Sequence, residues 1–152
     1  MNRISDRILL TLWVGGMWIV GYVVAPVLFG MLERQLAGEV AGRLFSIMSY
    51  IGLVCGALLL LSVLVKHGLR HWRVLVLLGM LLVIVIGQFV LQPMMVELKA
   101  AGLEGEIKEQ FGRLHGISSG LFLLNSLAGL ALVVFNKVKD QSRFSKTNFF
   151  RD

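Results

Sequence analysis

Charged and apolar positions fall in blocks along this chain. Four blocks contain no Asp, Glu, Lys or Arg: Ile8 to Leu32, Leu44 to Val65, Val74 to Val96 and Leu114 to Asn136, each at least 22 residues long. A helix needs roughly 20 residues to cross about 30 Å of hydrocarbon, so each block is long enough to span a bilayer with some tilt. Inside lipid every backbone N–H and C=O must be bonded within the protein. Uniformly apolar runs of this length meet that demand as helices, whereas barrel strands would alternate polar and apolar positions. The pattern therefore predicts an all-α membrane protein, a bundle of four transmembrane helices over about 8–32, 44–65, 74–96 and 114–136. These make one domain, 1–136, followed by a basic tail, 137–152, that contains Phe144, Phe149 and Phe150.

The blocks are joined in a repeated way. The segment Glu39-Val-Ala-Gly-Arg-Leu-Phe-Ser-Ile-Met-Ser49 returns as Glu109-Gln-Phe-Gly-Arg-Leu-His-Gly-Ile-Ser-Ser119, identical at six of eleven positions, and each copy leads from a charged stretch into an apolar run. Pro26 and Pro93 lie near the ends of the first and third runs, ahead of the two copies. Two tandem helical hairpins are the expected architecture, with any pseudo-twofold axis along the membrane normal. Leu36, Val40, Leu44 and Ile47, and likewise Leu103, Ile107, Phe111 and Leu114, fall at helical spacing. Helices two and four should accordingly begin before the hydrocarbon does. Within each copy the acid precedes the arginine by four residues, the favourable direction for an exposed helical ion pair.

Composition and charge agree with the pattern and set the orientation. Mean hydropathy is +0.80, with 57% hydrophobic and 16% charged residues, where a soluble domain carries about 25% charge. Ten Lys and Arg residues lie in the N-terminus, the second loop and the tail, against five in the other two loops, which predicts that both termini are cytoplasmic. Arg3 and Arg7 precede an apolar run too long for a signal peptide, so the first run is read as a retained helix. The net charge of +6 follows from the same bias, and the dispersed basic residues form no nucleic-acid recognition module. The expected partners are membrane lipids, with a homo-oligomer or a larger membrane complex as further options. Cys55 is the only cysteine and reads as a small packing residue.

Candidate chemistry is confined to polar residues near one side of the membrane. Gln88 and Gln92 lie in the outer part of helix three, Ser46, Ser49 and Tyr50 open helix two, and His115, Ser118, Ser119, Phe122, Asn125 and Ser126 occupy one broad face of helix four, which would normally point into the bundle, so that the polar residues converge on an outward-facing pocket. Arg113 beside His115 suits a carboxylate or phosphate, and Arg43 is its counterpart in the first copy. The structural alternative has Arg113 reaching the interface and pairing with Glu109 while His115 bonds a neighbouring helix. Gly112, Gly116 and Gly120, like Gly52 and Gly56, have the spacing that lets helices approach closely. His67 and His71 belong to the opposite membrane end from His115, so no bis-histidine haem is expected, and no metal or other cofactor is predicted. No Ser/His/Asp set, P-loop, HExxH or paired intramembrane carboxylate is present in the four runs, and the expectation is a non-enzymatic protein.

The segment Gln110-Phe-Gly-Arg-Leu-His-Gly-Ile-Ser-Ser119, with Asn125 and Leu127-Ala-Gly-Leu-Ala-Leu132, resembles the last-helix signature of the transmembrane protein 205-like family. Trp13-Val-Gly-Gly-Met-Trp18, Pro26-Val-Leu-Phe29 and the Gly42 to Phe45 entry into helix two are similar to the same family. The resemblance covers roughly residues 8 to 135 and implies a small four-helix integral membrane protein, placed in the bacterial inner membrane by its bacterial branch. It adds emphasis to Arg113, His115, Ser118, Ser119 and Asn125 without assigning them a role.

Overall fold

Each apolar block is a helix in the computed structural model, which describes the backbone of residues 3–148 and the side chains of 4–66 and 68–135. The first span is α1 (Arg3–Ile19), a π-helical turn π1 (Val20–Val24) and α2 (Ala25–Met31); the second is α3 (Arg34–His67). The third is α4 (Trp72–Ile86), π2 (Gly87–Leu91) and α5 (Gln92–Ala100), and the fourth is α6 (Gly105–Asn148). All four are long and apolar enough to cross a membrane. No more than a third of the most apolar window in any of them is buried, so most of their hydrocarbon faces outward, as in a membrane-embedded bundle. The chain is thus a multi-pass membrane protein.

The helices exceed the apolar runs at their ends. α3 begins at Arg34 and α6 at Gly105, in keeping with the helical spacing ahead of both runs, because charged side chains are excluded from hydrocarbon and not from a helix end in the headgroup region. Gly68 (φ 75°) closes α3, with its N–H donating to the Leu64 carbonyl, and Gly102 (φ 91°) lies in the turn before α6; both adopt a left-handed conformation that side chains disfavour. The helix of α6 continues through Asn148, and Phe149 and Phe150 of the tail lie outside the described residues.

Neighbouring spans run antiparallel and close a ring, first against second, second against third, third against fourth, and fourth against first. The core sits at its centre: Trp13, Val14, Met17, Cys55, Leu59, Leu77, Met80, Ile84 and Leu132 are buried. Trp13 lies across the groove of Gly52 and Gly56, where Cβ atoms would stand 2.6 Å from its Nε1 and 3.0 Å from its Cη2. The GxxxG of the second span thus packs inside the bundle.

Each of the two prolines follows a π-helical turn. Proline lacks an N–H and its ring crowds the carbonyl four residues earlier. In both spans the helix widens just ahead of it: the Ala25 N–H bonds the Val20 carbonyl and the Gln92 N–H bonds the Gly87 carbonyl, i to i+5, so the proline is accommodated without breaking the helix.

The bundle end that carries the 32–33 and 101–104 turns is called the upper end, and that of the 68–71 turn the lower. At the lower end Asp6 accepts from Ser62 Oγ at 2.8 Å and pairs with Lys66 Nζ at 2.5 Å. Ser62 is buried, and this polar link ties the start of α1 to the end of α3.

Candidate functional site

The polar residues of the upper half form two groups, on opposite sides of α5 and α6. The inner group begins on α3, where Gly38, Gly42 and Ser46 recur every fourth residue and so share one face. The third span lays polar side chains over that face. Gln88 Nε2 donates to Ser46 Oγ at 3.4 Å, Gln92 Nε2 is 3.5 Å from where a Gly42 Cβ would stand, and Lys99 Nζ is 3.8 Å from the equivalent point at Gly38. The ladder of Gln88, Gln92 and Lys99 exists because α3 offers no bulky side chain opposite them.

The fourth span completes this group. Lys99 Nζ lies 5.5 Å from the centre of the Phe111 ring, and the His115 ring is stacked on the same Phe111, with centroids 6.0 Å apart and planes 11° apart. An ammonium is drawn to an aromatic face by the ring quadrupole. Lower down, Ser118 is half-buried and Asn125 and Ser126 are buried. Asn125 Nδ2 donates weakly to Met17 Sδ at 3.6 Å, while its Oδ1 has no partner. Trp18 Nε1 donates to the Ser126 carbonyl at 3.4 Å. An aromatic floor closes the group below, from Trp18 to Tyr22 (4.7 Å), Tyr22 to Phe122 (6.0 Å) and Phe122 to Phe45 (5.2 Å). Gly21 of π1 makes room for it, since a Cβ there would meet Phe122 at 2.4 Å.

His115 and Ser119 share the helix side of Phe122 and Ser126, yet both are exposed. The sequence expectation turned that whole face into the bundle. The difference arises because α2 packs on α3 and not substantially on α6, so nothing covers the upper part of the face. Ser119 Oγ instead donates to the His115 carbonyl at 2.8 Å, within its own helix. Above the aromatic floor the ring is therefore open between the first and fourth spans.

The second group lies on the other flank. Arg113 is two residues from both Phe111 and His115, hence about 200° around the helix from each, and points away from the ladder. It lines a cleft of about 470 Å³ between α5 and α6 with Met94, Glu97, Leu98, Gln110 and Leu114. Arg113 also pairs with Glu109 at 2.6 Å, both side chains being largely exposed. No such pair joins Glu39 to Arg43 among the described residues, and Arg43 is exposed on α3.

Of the residues singled out in the sequence, Gln88 and Gln92 share the ladder, Ser118 and Asn125 lie on the interior face below it, His115 and Ser119 stand at its open edge, and Arg113 and Arg43 lie apart. Sequence reasoning missed Lys99 and Glu97. Lys99 carried a signal, because Gln88, Gln92 and Lys99 stand at i, i+4 and i+11 and so share a helix face. The inner group can offer an anion an ammonium, amide N–H donors and an imidazole, next to an apolar floor that opens sideways to lipid.

Four apolar spans around a polar upper half define a small helical membrane protein. More specifically, the chain belongs to the family described as a domain of unknown function, DUF4149, whose model matches residues 8–104, the first three spans and the turn into the fourth. It is also similar to an uncharacterized protein of Aquifex aeolicus (strain VF5), 31% identical over 121 residues, which covers 76% of this chain and 84% of that protein. No solved structure matches the chain significantly.

Proposed function

We propose that the protein is a non-enzymatic component of the bacterial inner membrane that holds a lipid-like anion in its upper half, for transport or as a structural ligand. The anionic head sits between Lys99 and His115 within reach of Gln92, and its apolar part leaves between α2 and α6 over Tyr22 and Phe122. The observation that carries this reading is the convergence of Lys99 and His115 on one ring, Phe111, beside the gap where α2 and α6 do not pack. The upper end faces outward and both termini lie in the cytoplasm, a reading supported by the ten-to-five distribution of Lys and Arg. The two halves are tandem hairpins, supported by a π turn two residues before proline in each and by the repeated segment. Kinship with the transmembrane protein 205-like family is part of the proposal and rests chiefly on residues 115–119. No nucleic acid takes part.

Native mass spectrometry of the full chain with added phosphatidylglycerol tests the anion site. Wild type should retain the lipid, and His115→Ala and Lys99→Gln should lose most of it. Equal retention by both variants would refute the assignment.

A second reading, an accessory subunit of a larger membrane complex, draws on the fourth span. A Cβ at Gly112, Gly116 or Gly120 would meet nothing within 4 Å, so this stripe has no partner among the described residues. Copurification of a stoichiometric partner in mild detergent, abolished by Gly116→Leu, would favour it, and a homogeneous single-chain species would count against it.

A further inference from the structure

We propose that the cleft between α5 and α6 is a second site, on the lipid-facing side, for the headgroup of a zwitterionic, amine-bearing phospholipid of the phosphoethanolamine type. Depth is the first argument. Glu97 directly follows the third apolar run and Arg113 directly precedes the fourth, so the two charges stand at the same hydrocarbon boundary on adjacent antiparallel helices. Both line the cleft, with Gln110 above them, Met94 and Leu114 supplying apolar walls below, and Leu98 and Ala101 completing the upper part of its α5 wall. The cleft is charged where a headgroup lies and apolar where acyl chains begin.

Charge is the second argument. Arg113 is already engaged by Glu109 at 2.6 Å, and Glu97 adds another carboxylate to the cleft lining, so two carboxylates accompany one guanidinium there. A simple anion would meet net repulsion there. A headgroup that brings its own ammonium does not: its phosphate takes the free N–H donors of Arg113 and the Gln110 amide, and its ammonium takes Glu97. The guanidinium fork has five donors, so the bond to Glu109 need not break. A volume of about 470 Å³ is sufficient for such a headgroup and the start of its glycerol. Lys99 does not upset this balance, because its ammonium is directed to Phe111 and Gly38, on the opposite side of α5 from Glu97.

The test is native mass spectrometry of the full chain in detergent, titrated with equimolar phosphatidylethanolamine and phosphatidylglycerol. Every chain compared carries Lys99→Gln, which removes most of the lipid held at the inner anion site and leaves the cleft to be read by itself. The Lys99→Gln chain should bind the ethanolamine lipid in preference. Adding Glu97→Gln should lower that preference roughly two- to fivefold, the worth of one exposed ion pair, and adding Arg113→Gln should weaken retention of both lipids. Adding Glu97→Lys should invert the preference. Absence of any preference in the Lys99→Gln chain, or an unchanged ratio with both Glu97 substitutions, overturns the proposal.

Discussion

Replacing Gly52 by alanine should destabilise this bundle, although alanine is the better helix former. A Cβ at position 52 would stand 2.6 Å from Trp13 Nε1, 3.2 Å from Trp13 Cδ1 and 2.9 Å from Ile84 Cδ1. Trp13 is fully buried and its indole also lies across Gly56, 3.0 Å from where that Cβ would stand, so the ring cannot slide along the groove to escape. Overpacking of this kind costs about 1–3 kcal/mol, and the gain in helix propensity returns roughly 0.5–1 kcal/mol, leaving a net loss of about 1–2 kcal/mol.

The control is Gly116→Ala, where the added methyl meets nothing within 4 Å and only the propensity term remains. SDS-induced unfolding in mixed micelles, followed by far-UV circular dichroism, measures both. The two variants should differ by about 2 kcal/mol in opposite directions from wild type. In a Trp13→Phe background the cost of Gly52→Ala should shrink, because the smaller ring vacates part of the contested space, and the double-mutant cycle gives the coupling directly. A Gly52→Ala chain as stable as wild type, or a cost equal to that of Gly116→Ala, would refute the argument that close approach to Trp13 holds the second span in place.

The other predictions concern buried polarity. Asp6→Asn removes the carboxylate that accepts from Ser62 and pairs with Lys66; with the two side chains 24% and 32% exposed, solvent discounts the pair, and the loss in the same assay should be about 1 kcal/mol. Ser62→Ala should cost a similar or smaller amount, and Asp6→Asn added to it should cost less than the two separately. Asn125→Leu replaces a side chain whose Oδ1 has no partner by an apolar one of similar size, so stability should stay within about 1 kcal/mol of wild type or rise. A larger loss would show that Asn125 is satisfied in the membrane by something that leucine cannot replace.

The four spans were legible because charge is excluded from hydrocarbon, and that rule marks where apolar runs stop. It does not mark where helices stop, which is why Arg34 and Gly105 begin helices well ahead of Leu44 and Leu114. The two prolines announced a perturbation of the first and third spans, but its form, a π turn in each, depends on the backbone finding an i+5 bond. The inward direction of Ser118, Asn125 and Ser126 followed from their spacing. That Arg113 and His115 serve different sides of α6 was also legible, from the 200° between positions two apart, and adjacency in the motif obscured it. Exposure of His115 was not legible, since burial of a helix face is decided by the neighbouring helix.

That neighbour explains why the upper half is open on one side only. The first and third spans carry the same device, a π turn and then proline, and each continues into a short helix, α2 or α5. α5 buries Met95, sets Lys99 over Phe111 and packs on α6. α2 buries no residue, and among the other spans it packs chiefly on α3. On the side of α6 that α2 leaves uncovered stand Gly112, Gly116 and Ser119, which offer little surface to hold a partner. Dispersion is the main attraction between helices in lipid, and small side chains supply it only when backbones come close. An opening between the first and fourth spans is thus written into both of its walls, and it lies beside the one ring, Phe111, that both Lys99 and His115 touch.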